Sequence, residues 1–185
     1  MILIVGLGNI GKKYTYNRHN LGFLLVDRLI KKYSLIKESN KFSSYIYKAK
    51  IFHQTVLIIK PTTMMNLSGV AVSKVKNFYK VPLEKIFIFH DDLDLKLGRL
   101  KIKNGGSSGG HNGIRSIDKL IGNDYNRVRF GIGNPKFNNS ISEYVLSDFN
   151  KEEIDFVMKK IEIMVDNLAL LFESSFDNFI KDCLF

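Results

Sequence analysis

The chain has 185 residues, 45% of them apolar, and 28 Lys and Arg against 18 Asp and Glu leave a formal charge of +10. That length and apolar fraction suit one domain with a real core and exclude a disordered chain, while no apolar run approaches the roughly 20 residues that cross a bilayer. A lone Cys183 excludes an internal disulfide and any multi-thiolate zinc site.

Residues 1–5 form a short continuous apolar run closed by Gly6, the pattern of a buried central strand. No basic stretch precedes the run, so it does not read as a secretory leader, and a soluble cytoplasmic protein is expected. Residues 20–33 place Leu21, Leu24, Leu25, Val26, Leu29 and Ile30 on one face, an amphipathic helix behind Arg18-His19-Asn20. Residues 42–50 alternate as a half-buried strand does, and residues 55–59 form a β-branched strand stopped by Pro61. Residues 66–79 predict a helix with Leu67, Val70, Ala71, Val75 and Phe78 inward. Residues 86–89 predict a buried strand that runs into His90-Asp91-Asp92-Leu93-Asp94.

Further on, residues 100–103 predict a strand, 105–110 a glycine loop, 112–121 a helix and 127–132 a strand. Residues 150–172 repeat apolar positions from Ile154 to Leu168 at helical spacing, one long terminal helix. Strands alternate with helices, with one hairpin-like pair near the middle. The expected fold is therefore α/β: a single-domain layered fold over residues 1–185, with a twisted, mostly parallel mixed β-sheet flanked by helices and 151–185 as a terminal helical segment.

The charge is uneven. Residues 151–185 hold four Lys and eight acids, net −4, which leaves +14 on residues 1–150. Such a field favours a polyanionic partner, nucleic acid first. The competing reading is simple solvation, since 22 of the 28 cations are Lys.

Gly6-Leu7-Gly8-Asn9-Ile10-Gly11 matches the dinucleotide fingerprint G-x-G-x-x-G after a strand, but its context fails. Lys12 to Arg18 lack the pattern of a crossover helix, and the acid about 20 residues on is Asp27, inside a predicted helix rather than at a strand end. The glycines read instead as a sharp turn at the carboxyl end of the first strand.

Polar clusters follow strands or open helices at Asn9, Arg18-His19-Asn20, Met65-Asn66, His90-Asp91 and Gly110-His111-Asn112-Gly113. They supply histidine, acid and amides but no nucleophile, and no G-x-S-x-G elbow occurs. A hydrolase of this make-up would use water, with histidine as base and a carboxylate on its other ring nitrogen. Amides can serve a carbonyl and its developing oxyanion without titrating. Simpler roles compete: Asn66 and Asn112 stand where helices begin and suit N-caps. The acids near His90 suit a turn or a magnesium ion, although strand alternation sends Asp91 to the side opposite Asp92 and Asp94.

These blocks, taken in order, resemble the bacterial peptidyl-tRNA hydrolase family. The opening Gly6-Leu7-Gly8-Asn9 with Tyr14 and Arg18-His19-Asn20 is similar to the family's first signature, and Lys60 through Gly69 to its second. His90 to Asp94, Gly105 to Gly113 and Arg127 to Gly133 complete the set over roughly residues 1–150. The resemblance implies a monomeric enzyme, without metal or cofactor, that cleaves the ester joining a peptide to the 3′ end of tRNA and returns the tRNA to translation. It makes His19 the base on water, oriented by Asp91, and gives Asn9 a part in telling peptidyl from aminoacyl substrates. Tyr14, Met64, Asn66 and Asn112 would bind substrate, and Lys101, Lys103 and Arg129 would hold tRNA phosphates. Departures from the family pattern are Ile10, Asn17 and Met64, which stand for the usual proline, threonine and aromatic residue. The rival reading is an RNA-binding relative of the same fold that has lost hydrolysis, which need not retain both His19 and Asp91.

Overall fold

In a computed structural model that describes residues 1–134 and 140–184, strands β1 (Ile2–Gly6), β2 (Lys37–Ser39), β3 (Ser44–Ile51), β4 (Gln54–Pro61), β5 (Ile86–Asp92), β6 (Leu100–Asn104) and β7 (Asn126–Gly131) form one sheet. Its order is β2-β3-β4-β1-β5-β7-β6. Every residue of β1 is buried, because an apolar run without polar alternation has no face to offer water, and the strand takes the middle of the sheet. The central strands β4, β1, β5 and β7 are parallel, and β2, β3 and β6 are added antiparallel at the flanks.

Strand alternation sorts the core into two layers. Ile2, Ile4, Val56, Ile58, Phe87 and Phe89 face α1 (Leu21–Lys32) and a carboxyl-terminal set of α5 (Lys151–Asp166), α6 (Leu168–Phe172) and α7 (Phe176–Asp182). Leu3, Val5, Leu57, Ile59, Ile86 and Ile88 face α2 (Ser68–Tyr79) and α3 (Asn112–Ile121). A short helix, α4 (Ile141–Leu146), is capped by Ser140 in a reciprocal pair of hydrogen bonds with Glu143. The hairpin between β3 and β4 turns on Phe52 and His53, both with left-handed φ (47° and 63°), the geometry that matches the twist of paired strands.

Three expectations need correction. The predicted helix over 150–172 is two helices, α5 and α6, broken at Asn167, and α7 follows as a third. Asn167 turns its side-chain amide onto the Ile163 carbonyl at 2.9 Å, a local alternative to helix continuation that apolar spacing does not register. The edge strand β2 has no hydrophobic alternation and went unpredicted. The helices expected from 20 and 66 start at Leu21 and Ser68, each behind a single 3₁₀ turn, Arg18–Asn20 and Met65–Leu67.

Close backbone approach positions the His19 turn. A Cβ on Gly22 would stand 2.3 Å from both the Leu7 nitrogen and the Phe89 oxygen, and one on Gly6 would stand 2.2 Å from the Gly22 oxygen. Gly6 and Gly22 thus let α1 lie on the strand ends. Gly22→Ala is expected to cost about 1–3 kcal/mol, the usual penalty of overpacking. Urea titration would show it as a lower midpoint at unchanged slope; an unchanged midpoint would contradict the close approach.

Candidate active site

Parallel strands β1 and β5 end at the same edge of the sheet, where open α/β folds place their sites. Beyond β1 the chain continues into Asn9, while β5 ends in His90, Asp91 and Asp92. The turn Arg18–Asn20 lowers His19 onto this edge, and its Nδ1 lies 2.9 and 3.0 Å from the two carboxylate oxygens of Asp91. Both residues are buried, at 8% and 3% exposure. The carboxylate accepts, so His19 carries its proton on Nδ1, and Nε2 keeps a lone pair on a ring that lines a cavity of about 580 Å³.

A second histidine meets the same carboxylate. His111 is the N-cap of α3, and its Nδ1 accepts from the Gly113 and Ile114 N–H groups at 3.1 and 3.3 Å. Its Nε2 lies 3.0 Å from Asp91 Oδ1. Burial by itself pushes the Asp91 carboxyl up, but the two facing imidazoles and their hydrogen bonds outweigh it and hold it well below the usual carboxylate range. Burial likewise pulls His19 down, yet the charge and hydrogen bond of Asp91 prevail and leave it above an ordinary imidazole. For His90 the balance is the reverse: burial, reinforced by His111, outweighs the pull of Asp91 and Asp92 and pushes it down to about 3, so the ring is neutral and donates Nδ1–H to the Asp91 carbonyl at 2.7 Å.

Amides surround the imidazole. Asn9 Oδ1 accepts the Met65 N–H at 2.9 Å, and the Asn9 backbone exchanges hydrogen bonds with the Asn20 side chain, which leaves Nδ2 as the group Asn9 can offer. Asn66 and Asn112 also line the cavity. Neither takes the N-cap role that their positions allowed: α2 has no side-chain cap and His111 caps α3. Met64, Leu93, Ile141, Val145 and Leu146 form the apolar part of the wall. Tyr14 is not brought to this cavity; it sits in the turn Lys12–Tyr14, with the Lys13 ammonium 4.7 Å from its ring centre.

Next to the cavity lies a smaller recess of about 190 Å³, which shares Asp92, Ser108 and Gly109 with it. Lys103 and Arg129 line this recess, whereas Lys101 pairs across the strands with Arg129 and stands outside the lining. Arg129 Nε is 2.6 Å from Asp92 Oδ2. The loop between recess and cavity needs glycine, since Gly109 and Gly110 have φ of 57° and 80°. Buried Arg127 pins that loop through the Ser107 and Gly106 carbonyls at 2.8 and 3.2 Å.

His19, Asp91 and His111 each place one potential metal-ligating atom within 4.8 Å of the others. Those atoms already engage one another as donors and acceptor, so their chemistry is that of a hydrogen-bonded relay. His90 and its neighbouring acids form no such cluster among the described residues: His90 Nδ1 is bonded to a carbonyl and Asp92 to Arg129. Dinucleotide binding also lacks its helix, as a 3₁₀ turn follows Gly11.

Two residues that carry this geometry had no predicted role, His111 and Arg18. His111 was visible only as part of a polar cluster. The Arg18 guanidinium lies 4.6 and 4.8 Å from the ring centres of Tyr144 and Phe149 and 2.7 Å from Glu153, tying the segment after α4 to the turn that carries His19. Asn17 and Asp148 add a side-chain hydrogen bond to that tie.

The family model described as Peptidyl-tRNA hydrolase matches residues 3–183. Peptidyl-tRNA hydrolases of Rickettsia prowazekii and Rickettsia typhi are 47% and 48% identical over 180 residues, covering 97% of this chain and 97% of each relative. The crystal structure of peptidyl-tRNA hydrolase from Acinetobacter baumannii superposes with a TM-score of 0.92 at 35% identity, covering 99% of this chain and 94% of that one.

Because the Asp91 charge is what raises His19, Asp91→Asn should lower the midpoint of His19 protonation toward or below that of a free imidazole. Imidazole NMR titration of the parent and the variant checks this. A midpoint that stays put would mean that the carboxylate does not govern the ring.

Proposed function

This chain belongs to the peptidyl-tRNA hydrolase family and hydrolyses peptidyl-tRNA; we propose that it does so with His19 as general base and Asp91 as the group that orients and charges it. The observation that carries this reading is the His19–Asp91 contact at 2.9 and 3.0 Å, which leaves Nε2 as a base on the cavity wall. His19 Nε2 takes a proton from water while the water oxygen attacks the ester carbonyl carbon. The ester C–O bond then breaks, and the 3′-terminal ribose oxygen leaves with the proton from Nε2. Asp91 stays ionised throughout and stabilises the intervening imidazolium.

Amide donors of Asn9, Asn66 and Asn112 face the carbonyl and the negative charge that develops on it. Asn9, whose oxygen is committed to Met65, presents only N–H donors, which suits an acyl carbonyl of a peptide and repels a free α-ammonium group. The peptide lies against Met64 and the apolar side of α4, and Tyr14 binds substrate only at the margin of the cavity. Lys103 and Arg129 in the adjoining recess, with Lys101 beside them, hold tRNA phosphates; Arg129 exchanges Asp92 for phosphate on binding. Phosphate contacts supply affinity while the amide cleft selects the ester. We further propose that the chain forms one domain and acts as a cytoplasmic monomer; among the described residues no helix is long and apolar enough to cross a membrane. The non-hydrolytic RNA-binding alternative leaves the assembled His19–Asp91 pair without a purpose.

Two variants test these roles. His19→Ala should keep tRNA binding and lose about 10²–10⁴-fold in ester cleavage, the usual share of a general base. Cleavage within threefold or so of the parent would remove His19 from that role. Lys103→Ala should weaken binding of intact peptidyl-tRNA and flatten its salt dependence by about one unit of slope. A minimal substrate keeping only the 3′ end should be cleaved by Lys103→Ala much as by the parent; equal slowing of both substrates would refute the division between recess and cleft.

A further inference from the structure

The proposed reaction makes no use of His111, although its ring is held at both nitrogens. Its Nδ1 accepts two backbone N–H groups at the start of α3, so that nitrogen is unprotonated and the proton sits on Nε2. Nε2–H points at Asp91 Oδ1 from 3.0 Å, and this is the oxygen that His19 Nδ1–H meets at 2.9 Å. Two N–H donors therefore converge on one buried carboxylate oxygen, with ring centres 4.7 Å apart. Gly113 lets the ring lie this close to the start of the helix, since a Cβ there would stand 2.6 Å from Met65 Sδ and 3.0 Å from His111 Cε1.

We propose that His111 is a positioning residue for ester cleavage: by sharing Asp91 with His19, it limits how strongly the carboxylate holds the His19 proton. The inference rests on His19 being the general base. A buried carboxylate with one imidazole partner favours the imidazolium, and a base that stays protonated cannot take a proton from water. A second N–H on the same oxygen takes up part of its charge. The positive end of that N–H also lies beside the His19 ring, where it opposes a second positive charge. Burial of the whole group keeps these effects from being screened by solvent.

The other charged or titratable groups around His19 are engaged elsewhere. Arg18, on the same turn, directs its guanidinium to Glu153 between Tyr144 and Phe149. On β5, Asp92 is held by Arg129 and His90 by the Asp91 carbonyl. Asn9 beyond β1, Asn112 on α3 and the residues of α4 that line the cavity are uncharged. Among the described residues, His111 is thus the titratable side chain that joins the His19–Asp91 pair.

His111→Ser separates the shared bond from the helix cap. Serine caps a helix as well as the residue it replaces, but its hydroxyl is too short to reach Asp91. The variant should fold as the parent does and shift the acid limb of its kcat/KM profile upward by about one pH unit, so that a roughly tenfold loss at pH 6 disappears on the alkaline side. The His19 imidazole should show the same upward shift by NMR, and in an Asp91→Asn background His111→Ser should move neither. An unmoved or lowered His19 titration overturns the inference, as does a loss of rate equal at every pH. If the parent has no acid limb that follows His19, the base reading falls instead, while the NMR shift still decides the role of His111. Should His111→Ser not fold, nitrogen shifts of the parent decide it: Nε2-protonated His111 is expected at pH 8, and the opposite tautomer refutes the shared bond.

Discussion

One buried carboxylate, Asp91, is the point on which the site depends. An unpaired charge at 3% exposure would be strongly unfavourable, and it is compensated by two N–H donors brought from different parts of the chain. The strand β5 delivers the carboxylate, the turn Arg18–Asn20 delivers His19, and the start of α3 delivers His111. Each element is itself held by backbone contacts: Gly22 against the ends of β1 and β5, and the His111 ring against the first N–H groups of α3. The His19 ring is therefore set by the framework of the fold. The same burial that makes Asp91 a strong partner keeps His90, one residue earlier and facing the other way, neutral.

Cavity and recess are separated by only a few residues. They meet at Asp92, Ser108 and Gly109, so the Arg129 side of the recess and the His19 side of the cavity adjoin. Asp92 serves both sides, closing the cavity wall while its carboxylate occupies Arg129. Arg127 works from beneath, fixing the glycine loop through carbonyl groups and pairing with Asp118 at 2.8 Å. Of the two arginines on β7, one builds the loop and the other faces the recess.

The acidic terminal segment finds its explanation in these contacts. Glu153 pairs with Arg18, Glu162 with Arg28 and Asp166 with Lys32, so acids of α5 meet cations of the His19 turn and of α1. The more open pairs, Arg28 with Glu162 and Lys32 with Asp166, contribute little stability each. The effect of all three is on the distribution of charge: these acids of the terminal segment are spent on the layer that holds α1 and the His19 turn.

Local sequence determined the layered fold. The unbroken apolar run of β1, the alternation of β3 and the helical spacing of α1 and α5 each report burial that a residue shares with near neighbours, whereas Leu67 and Phe78, expected inward on the second helix, stand exposed. The ordered motif blocks likewise named His19, Asp91 and the three amides. Tertiary structure alone decided which of these meet and how. His19 and Asp91 are 72 positions apart, and His111 is a further 20 beyond Asp91, so no periodicity could show one carboxylate serving two rings. It also decided that His111 rather than Asn112 caps α3, that Tyr14 stays outside the cavity, and that Arg18 clasps the segment after α4. Apolar spacing records how much of a side chain water can reach. Hydrogen-bond partners, tautomers and the break at Asn167 depend on directions between atoms that only the folded chain brings together.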